Sequence, residues 1–173
     1  YYNAITSYLA SGLYNGFGMN LEQAPEKDTE LLTKLRENVY MFGAAKTYQQ
    51  TKEISGLLVD DDGNVRTQKE FADVAKQTYS KWNDDWGKSE YNTAIGQAQA
   101  ASKWDNIIKN KSILPNLRYS AIGDACFICQ PLDGLTAKVD DPVWSTITPL
   151  NHFNCMCILE QLDDEDAVLT SDD

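Results

Sequence analysis

Every soft metal ligand of this chain lies between residues 126 and 157: Cys126-Phe-Ile-Cys129, a spacer of 22 residues, then His152-Phe-Asn-Cys155-Met-Cys157. These are all four cysteines and the only histidine. Two close-set groups of thiolate and imidazole donors, separated by a loop of this size, fit a structural zinc site in which four ligands close a tetrahedron. Such a crosslink pins two distant segments to one point, so it constrains the fold more than any other feature of the sequence.

Five donors compete for four places. Cys126 and Cys129, with two residues between them, can be aimed at one ion by a single tight turn. Cys155 with Cys157 would complete an all-thiolate site, whereas His152 with either of them would give a Cys3His site, and both types are common for zinc. The expectation is one structural zinc held by the four cysteines, with His152 as alternative ligand or supporting group.

Other uses of these residues fit less well. A thioredoxin-like Cys-x-x-Cys wants a strand before it, a helix after it and no second cysteine cluster. Two disulfides would suit a secreted chain, but Tyr1 opens no charged and apolar leader. A catalytic zinc needs an open position and a neighbouring general base. The deaminase pattern of His-x-Glu before Pro-Cys-x-x-Cys is absent, and His-Glu-x-x-His is impossible with one histidine. The chain is therefore expected not to be an enzyme. The competing class is a zinc hydrolase or nuclease using His152 with Asp133 or Asp141.

At 173 residues, 42% of them hydrophobic, the chain can bury a real core. No apolar run approaches the roughly 18 residues of a membrane span. The net charge of −11 is unevenly placed, since residues 113–173 carry two basic side chains, Arg118 and Lys138, against 11 acidic ones. Phosphate contacts supply most nucleic-acid affinity, so a module this acidic is not expected to bind DNA in a sequence-specific way. The absence of an initiator Met points to a trimmed chain or a fragment of a longer protein.

The pattern predicts an α+β, mainly α protein: a helical region over 1–112, a Cys/His zinc-binding module over 113–162 and an acidic, solvated tail over 163–173. A first helix runs from Tyr2 to Tyr14 and is stopped by Asn15-Gly-Phe-Gly18. Asp28 is placed to cap a second, with Leu31, Leu35, Val39 and Phe42 inward. Gly43 within it marks a bend or a close helix contact. Asp62-Gly63 turns a short hairpin over 57–66; an EF-hand reading from Asp60 fails because its sixth and twelfth positions are Val65 and Phe71.

Thr67-Gln-Lys-Glu70 reads as a capping box opening a helix with Phe71, Val74, Ala75, Thr78 and Trp82 on one face. Residues 83–87 read as a break. A further helix over 89–109 turns Tyr91, Ala94, Ile95, Ala98, Ala101 and Ile108 inward, its small faces open to another helix. Trp82, Trp86, Tyr91 and Trp104 are expected in the core rather than as a ligand platform. Leu117 to Ile122 alternates like a strand, Gly123-Asp124 and Asp133-Gly134 turn the chain, and Arg118 is expected to pair with Asp124 or a neighbouring carboxylate.

The order Glu90-Tyr-Asn-Thr-Ala94, Leu117-Arg-Tyr119, Asp124, Cys126-x-x-Cys129, Leu132-Asp-Gly134, Asp141-Pro142, Trp144, Pro149 and His152-x-x-Cys155-x-Cys157 resembles the phage Mu F-like head morphogenesis, or minor head protein, family. The resemblance covers about Tyr79 to Leu162, roughly half the chain. It implies a tailed-phage or prophage protein that joins the head during assembly, a few copies lying inside the capsid near the portal. Portal protein and capsid or scaffold proteins are the implied partners, and the implied places are the virion and the host cytoplasm during assembly. Assistance in procapsid assembly, or in DNA packaging or ejection, is the implied role. A host-directed effector fragment carried by the phage is a further alternative. Family members often carry Pro-Pro before the histidine segment and Arg between the last two cysteines; here Pro149-Leu150 and Met156 stand instead.

Overall fold

The computed structural model describes residues 1–122 and 126–170 and divides the chain into two compact units, Tyr1–Ala94 and Ile95–Asp173. Helices α1 (Tyr2–Phe17), α2 (Glu26–Gly56) and α3 (Gln68–Ser80) belong to the first. Helix α4 (Gly87–Asn110) begins in the first unit and ends in the second. The second adds strands β1 (Asn116–Ser120), β2 (Thr136–Lys138) and β3 (Ile158–Leu162), with a short helix α5 (Trp144–Ile147). The class is α+β, mainly α, as the sequence pattern implies.

In the first unit, Ile5, Leu9, Ala10 and Leu13 form the buried stripe of α1. The helix outlasts its expected end at Tyr14 because Gly16 stays helical and Gly18 supplies the stop, in the left-handed conformation at φ 87°. At Gly43 α2 lies close against α1, since a Cβ there would sit 2.6 Å from Thr6 Cγ2. Helix α2 starts at Glu26 after an N-cap at Pro25, so Asp28 lies in the first turn instead of capping it. There its charge still favours the positive end of the helix dipole.

The buried stripe of α2 is Leu32, Val39, Gly43, Lys46 and Gln50, a face in which two of five residues are polar. Lys46 forms a buried ion pair with Glu90 of α4. Both amide atoms of Gln50 lack a hydrogen-bond partner among the described residues. The hairpin reduces to one antiparallel bridge, Val59 to Val65, with Gly63 at φ 86°. Thr67 and Glu70 form the capping box of α3 as read from the sequence. The expected break at 83–87 is instead a π-helical turn, Lys81–Asp85, that leads into α4. Trp82 packs edge-on against Trp86 at 4.8 Å and donates its Nε1–H to Glu53, while Tyr91 stacks on Tyr8.

The second unit is built on an antiparallel sheet in the order β2-β1-β3. Leu117 and Tyr119 of the central strand are fully buried and share a core with Ile107, Cys129, Val139, Trp144, Cys155, Cys157 and Leu159. Burial in α4 falls on Ile107, not on the expected Ile108, which is 42% exposed. On the other face of β1, Arg118 lies directly across from Glu160 and pairs with it, Nη2 to Oε2 at 2.6 Å. The strand register thus supplies the carboxylate expected for Arg118; Asp124 and the turn at Gly123-Asp124 lie outside the described residues. The close neighbour of Gly96 is Leu150, from a non-helical segment, rather than a second helix.

Residues 163–170 do not behave as a free tail. Buried Asn116 donates its amide to Asp163 O and Asp164 Oδ1, and the Thr136 N–H donates to Thr170 Oγ1 while the Thr170 N–H donates to Thr136 O. Thr170 thus pairs with Thr136 at the open edge of β2, satisfying groups that would otherwise face solvent.

Candidate metal centre

Two peptide segments meet at one end of the sheet. The register sets Ser120, the last residue of β1, opposite Ile158, the first of β3. The chain leaving β1 carries Cys126 and Cys129, and the chain arriving at β3 carries His152, Cys155 and Cys157. Strand pairing therefore starts both donor segments from the same end of the sheet.

Each segment is a tight turn. The N–H groups of Cys129 and Gln130 both donate to Cys126 O, and a 3₁₀ turn at Gln130–Leu132 follows. Asn154 sits in the left-handed conformation at φ 60°, one of the few non-glycine residues that enter it readily, and the Cys155 N–H donates back to His152 O. Gly134, at φ 81°, then reverses the chain towards β2, its N–H bonded to Tyr119 O. Asp133 of the same turn accepts the Ala121 N–H at 2.8 Å.

His152 Nε2 lies 3.1 Å from Cys126 Sγ and 3.3 Å from Cys129 Sγ, and Cys129 Sγ lies 3.8 Å from Cys155 Sγ. Cys126, Cys129 and His152 form one triad of mutually close donor atoms, and Cys129, Cys155 and Cys157 form another, so Cys129 belongs to both. All four cysteines are free thiols. A zinc tetrahedron with Zn–S near 2.3 Å has S···S edges of about 3.8 Å and S···N edges of about 3.5 Å. The Cys129–Cys155 spacing matches, the two nitrogen spacings are slightly shorter, and the donor chemistry suits zinc, while the five donors close as two triads sharing Cys129 rather than as one set of four.

The orientation of the imidazole bears on its role. His152 Nδ1 is 2.8 Å from Phe153 O. A carbonyl can only accept, so Nδ1 carries the proton and Nε2 turns its lone pair towards the two sulfurs. That is the tautomer a ligating histidine needs, held by a backbone carbonyl as such ligands usually are.

Tyr119, which the sequence reading placed only on a strand and in the family-like order, brings its hydroxyl to the donor cluster. Its fully buried ring carries a hydroxyl that receives a hydrogen bond from Asn151 Nδ2 at 3.0 Å and bonds to the sulfurs of Cys129 and Cys157. Burial, reinforced by those sulfurs, holds the Tyr119 hydroxyl well above its ordinary range, so it stays a donor. Burial also pushes the Cys129 thiol up to about 12. The Cys157 thiol is lowered even though burial opposes it, because the Tyr119 hydroxyl and the Ile122 N–H favour the thiolate. The N–H groups of Cys129 and Ile128 lower the Cys126 thiol. Donors aimed at sulfur stabilise the thiolate form that metal binding requires.

The two carboxylates that a hydrolytic reading would recruit have local duties. Asp133 holds the turn described above, and Asp141 accepts the Val143 N–H at the start of α5. Each closed donor triad contains only cysteine and histidine.

Among the described residues no helix is long and apolar enough to cross a membrane. No curated protein and no solved structure matches the chain. The family described as Phage Mu protein F like protein matches residues 67–160, from the capping box of α3 through the donor cluster to β3. That span is more than half of the chain, which belongs to the Phage Mu protein F-like family.

Proposed function

We propose that this chain is a non-enzymatic minor head protein of a tailed phage or prophage. It joins the head during assembly, near the portal, and its second unit is knitted by one structural zinc. Family membership carries the reading. The portal, capsid or scaffold protein is its partner, the head interior and the host cytoplasm during assembly are its places, and packaging or ejection of DNA is the step it assists. With a net charge of −11 it would not adhere to packaged DNA.

For the metal, we assign Cys126, Cys129, His152 and Cys155 as ligands, with Cys157 held by Tyr119 as a supporting thiol. Support comes from the chain of short donor spacings through these four and from the tautomer of His152. The second unit has strands of only five, three and five residues. A sheet this small gains from a crosslink whose binding energy is folding energy.

Elemental analysis of untagged protein, with thiol titration before and after chelation, tests the site. About one zinc per chain is expected, with thiols released and the second unit unfolded on chelation. Cys157→Ser should retain zinc, and His152→Ala should lose it. Metal-free protein that melts like the purified form would overturn the structural role. Co-purification of the full chain with portal or procapsid tests the assembly reading, which fails if neither partner retains it.

A further inference from the structure

The two metal-binding turns expose large apolar side chains that a donor cluster does not require. Phe127 is 86% exposed, Met156 68%, Phe153 57% and Ile128 43%. Phe127 follows Cys126 and Phe153 follows His152, and the donor atoms of those two residues are 3.1 Å apart, so the two turns that carry the rings meet at the cluster. The sequence around them is free of formal charge: residues 126–132 and 142–159 contain no Asp, Glu, Lys or Arg, in a chain of which 24% is charged. Depletion of charge with enrichment of Phe and Met is the composition of an interface centre, not of an ordinary surface.

We propose that this face docks a short basic amphipathic segment of another protein, its large apolar side chains laid against Phe127, Phe153 and Met156. The proposed head-assembly role enters only in naming that protein as a head component. Two observations select the occupant. At the stated exposures the four side chains offer on the order of 500 Å², short of the roughly 800 Å² per partner of a standard stable interface. A single helix fits this area better than a second copy of the chain. Two copies would also each bring a net charge of −11 to the contact.

Charge gives the sign of the partner. Residues 113–173 carry 11 acidic side chains against Arg118 and Lys138. Both basic groups are already engaged, Arg118 with Glu160 and Lys138 with Asp164. Lysine or arginine flanking the partner's apolar row would be attracted by the chain's net charge of −11, whereas an acidic segment would be repelled.

The test uses the full metal-loaded chain and a synthetic helix of about 14 residues with Leu on one face and Lys on the other. Peptides of the same length with Leu/Glu and Ser/Lys faces serve as controls. Calorimetry should show binding of the Leu/Lys peptide alone, weakened at least about tenfold by Phe127→Ser/Phe153→Ser. Amide shifts on titration should centre on residues 126–129 and 152–157. Equal affinity of the double variant, equal binding of the Ser/Lys peptide, or no binding to the parent chain would overturn the proposal. So would self-association of the parent chain that the double variant abolishes. Zinc content and melting of the double variant report separately on the metal, and portal co-purification of the parent chain reports separately on the assembly role.

Discussion

Lys46 and Glu90 form an ion pair whose side chains are only 3% and 9% exposed, and removing either member should destabilise the first unit sharply. At an effective dielectric of about 20 the attraction between two charges in contact is about 4 kcal/mol. Taking the charges out of water costs several kcal/mol per ion, so the pair contributes little net. Removing one member forfeits the attraction and leaves the other charge buried, which costs about 3–5 kcal/mol. Glu90→Ala and Lys46→Ala should each show it, while the paired change Lys46→Met/Glu90→Leu should be neutral or stabilising. Urea unfolding followed by circular dichroism measures this; at an m-value near 2 kcal/mol/M, a loss of about 4 kcal/mol lowers the midpoint by about 2 M. Single changes costing under about 1 kcal/mol, with a coupling below about 0.5 kcal/mol in the double-mutant cycle, would mean that water reaches the pair and would refute the reasoning.

Three other outcomes are expected. Tyr119→Phe keeps the buried ring but removes the hydroxyl shared by Asn151, Cys129 and Cys157, so zinc affinity in a chelator competition should fall roughly 10- to 100-fold; unchanged affinity would deny the hydroxyl its role. Gly134→Val places a β-branched residue at φ 81° and should cost about 2 kcal/mol or more, which an unaltered melting temperature with full zinc content would contradict. The hydrogen bond and charge of Arg118 hold the Glu160 carboxyl below its ordinary 4.5, and a depressed carboxylate stabilises the fold above its unfolded value and loses that contribution as pH falls through the folded one. Acid should therefore weaken the second unit below about pH 4.5, and less so in Arg118→Gln, by under about 1 kcal/mol because both side chains are partly hydrated; superimposable melting–pH curves would count against it.

Features of the fold that depend on a residue and its near neighbours were readable in the sequence. The Thr67–Glu70 capping box is one, since both partners lie within a single helical turn. The turn at Gly134 and the close approach at Gly43 are others, because few residues besides glycine tolerate those positions. The inward face of α2 was misread because Lys46 and Gln50 are buried, and a hydrophobic pattern cannot show a polar residue whose partner lies 44 positions away. Ile107 and Ile108 are consecutive, so periodicity alone could not choose between them. The π turn at Lys81–Asp85 looked like a break because its composition of Asn and Asp suits both. That the four cysteines and His152 lie close together was legible from spacing. The support given by Tyr119 was not, because it depends on the strand alternation that turns Tyr119 inward and Arg118 outward.

The same strand pairing links the metal to the proposed docking face. Phe127 and Ile128 lie between two donors, as Phe153 lies between His152 and Cys155, and Met156 lies between Cys155 and Cys157. None of these side chains needs to touch an ion for its position to depend on one. With the donors joined, the backbone on both sides of each apolar residue is fixed, and the rings are held out at little further cost in conformational entropy on binding. With the donors apart, each turn retains only local hydrogen bonds such as Cys129 N–H to Cys126 O, and the two halves of the face are free to separate. Chelation should therefore abolish peptide binding even where the first unit stays folded, while Phe127→Ser/Phe153→Ser should abolish binding with the metal still in place. This asymmetry separates a metal that organises a surface from one that merely lies beneath it.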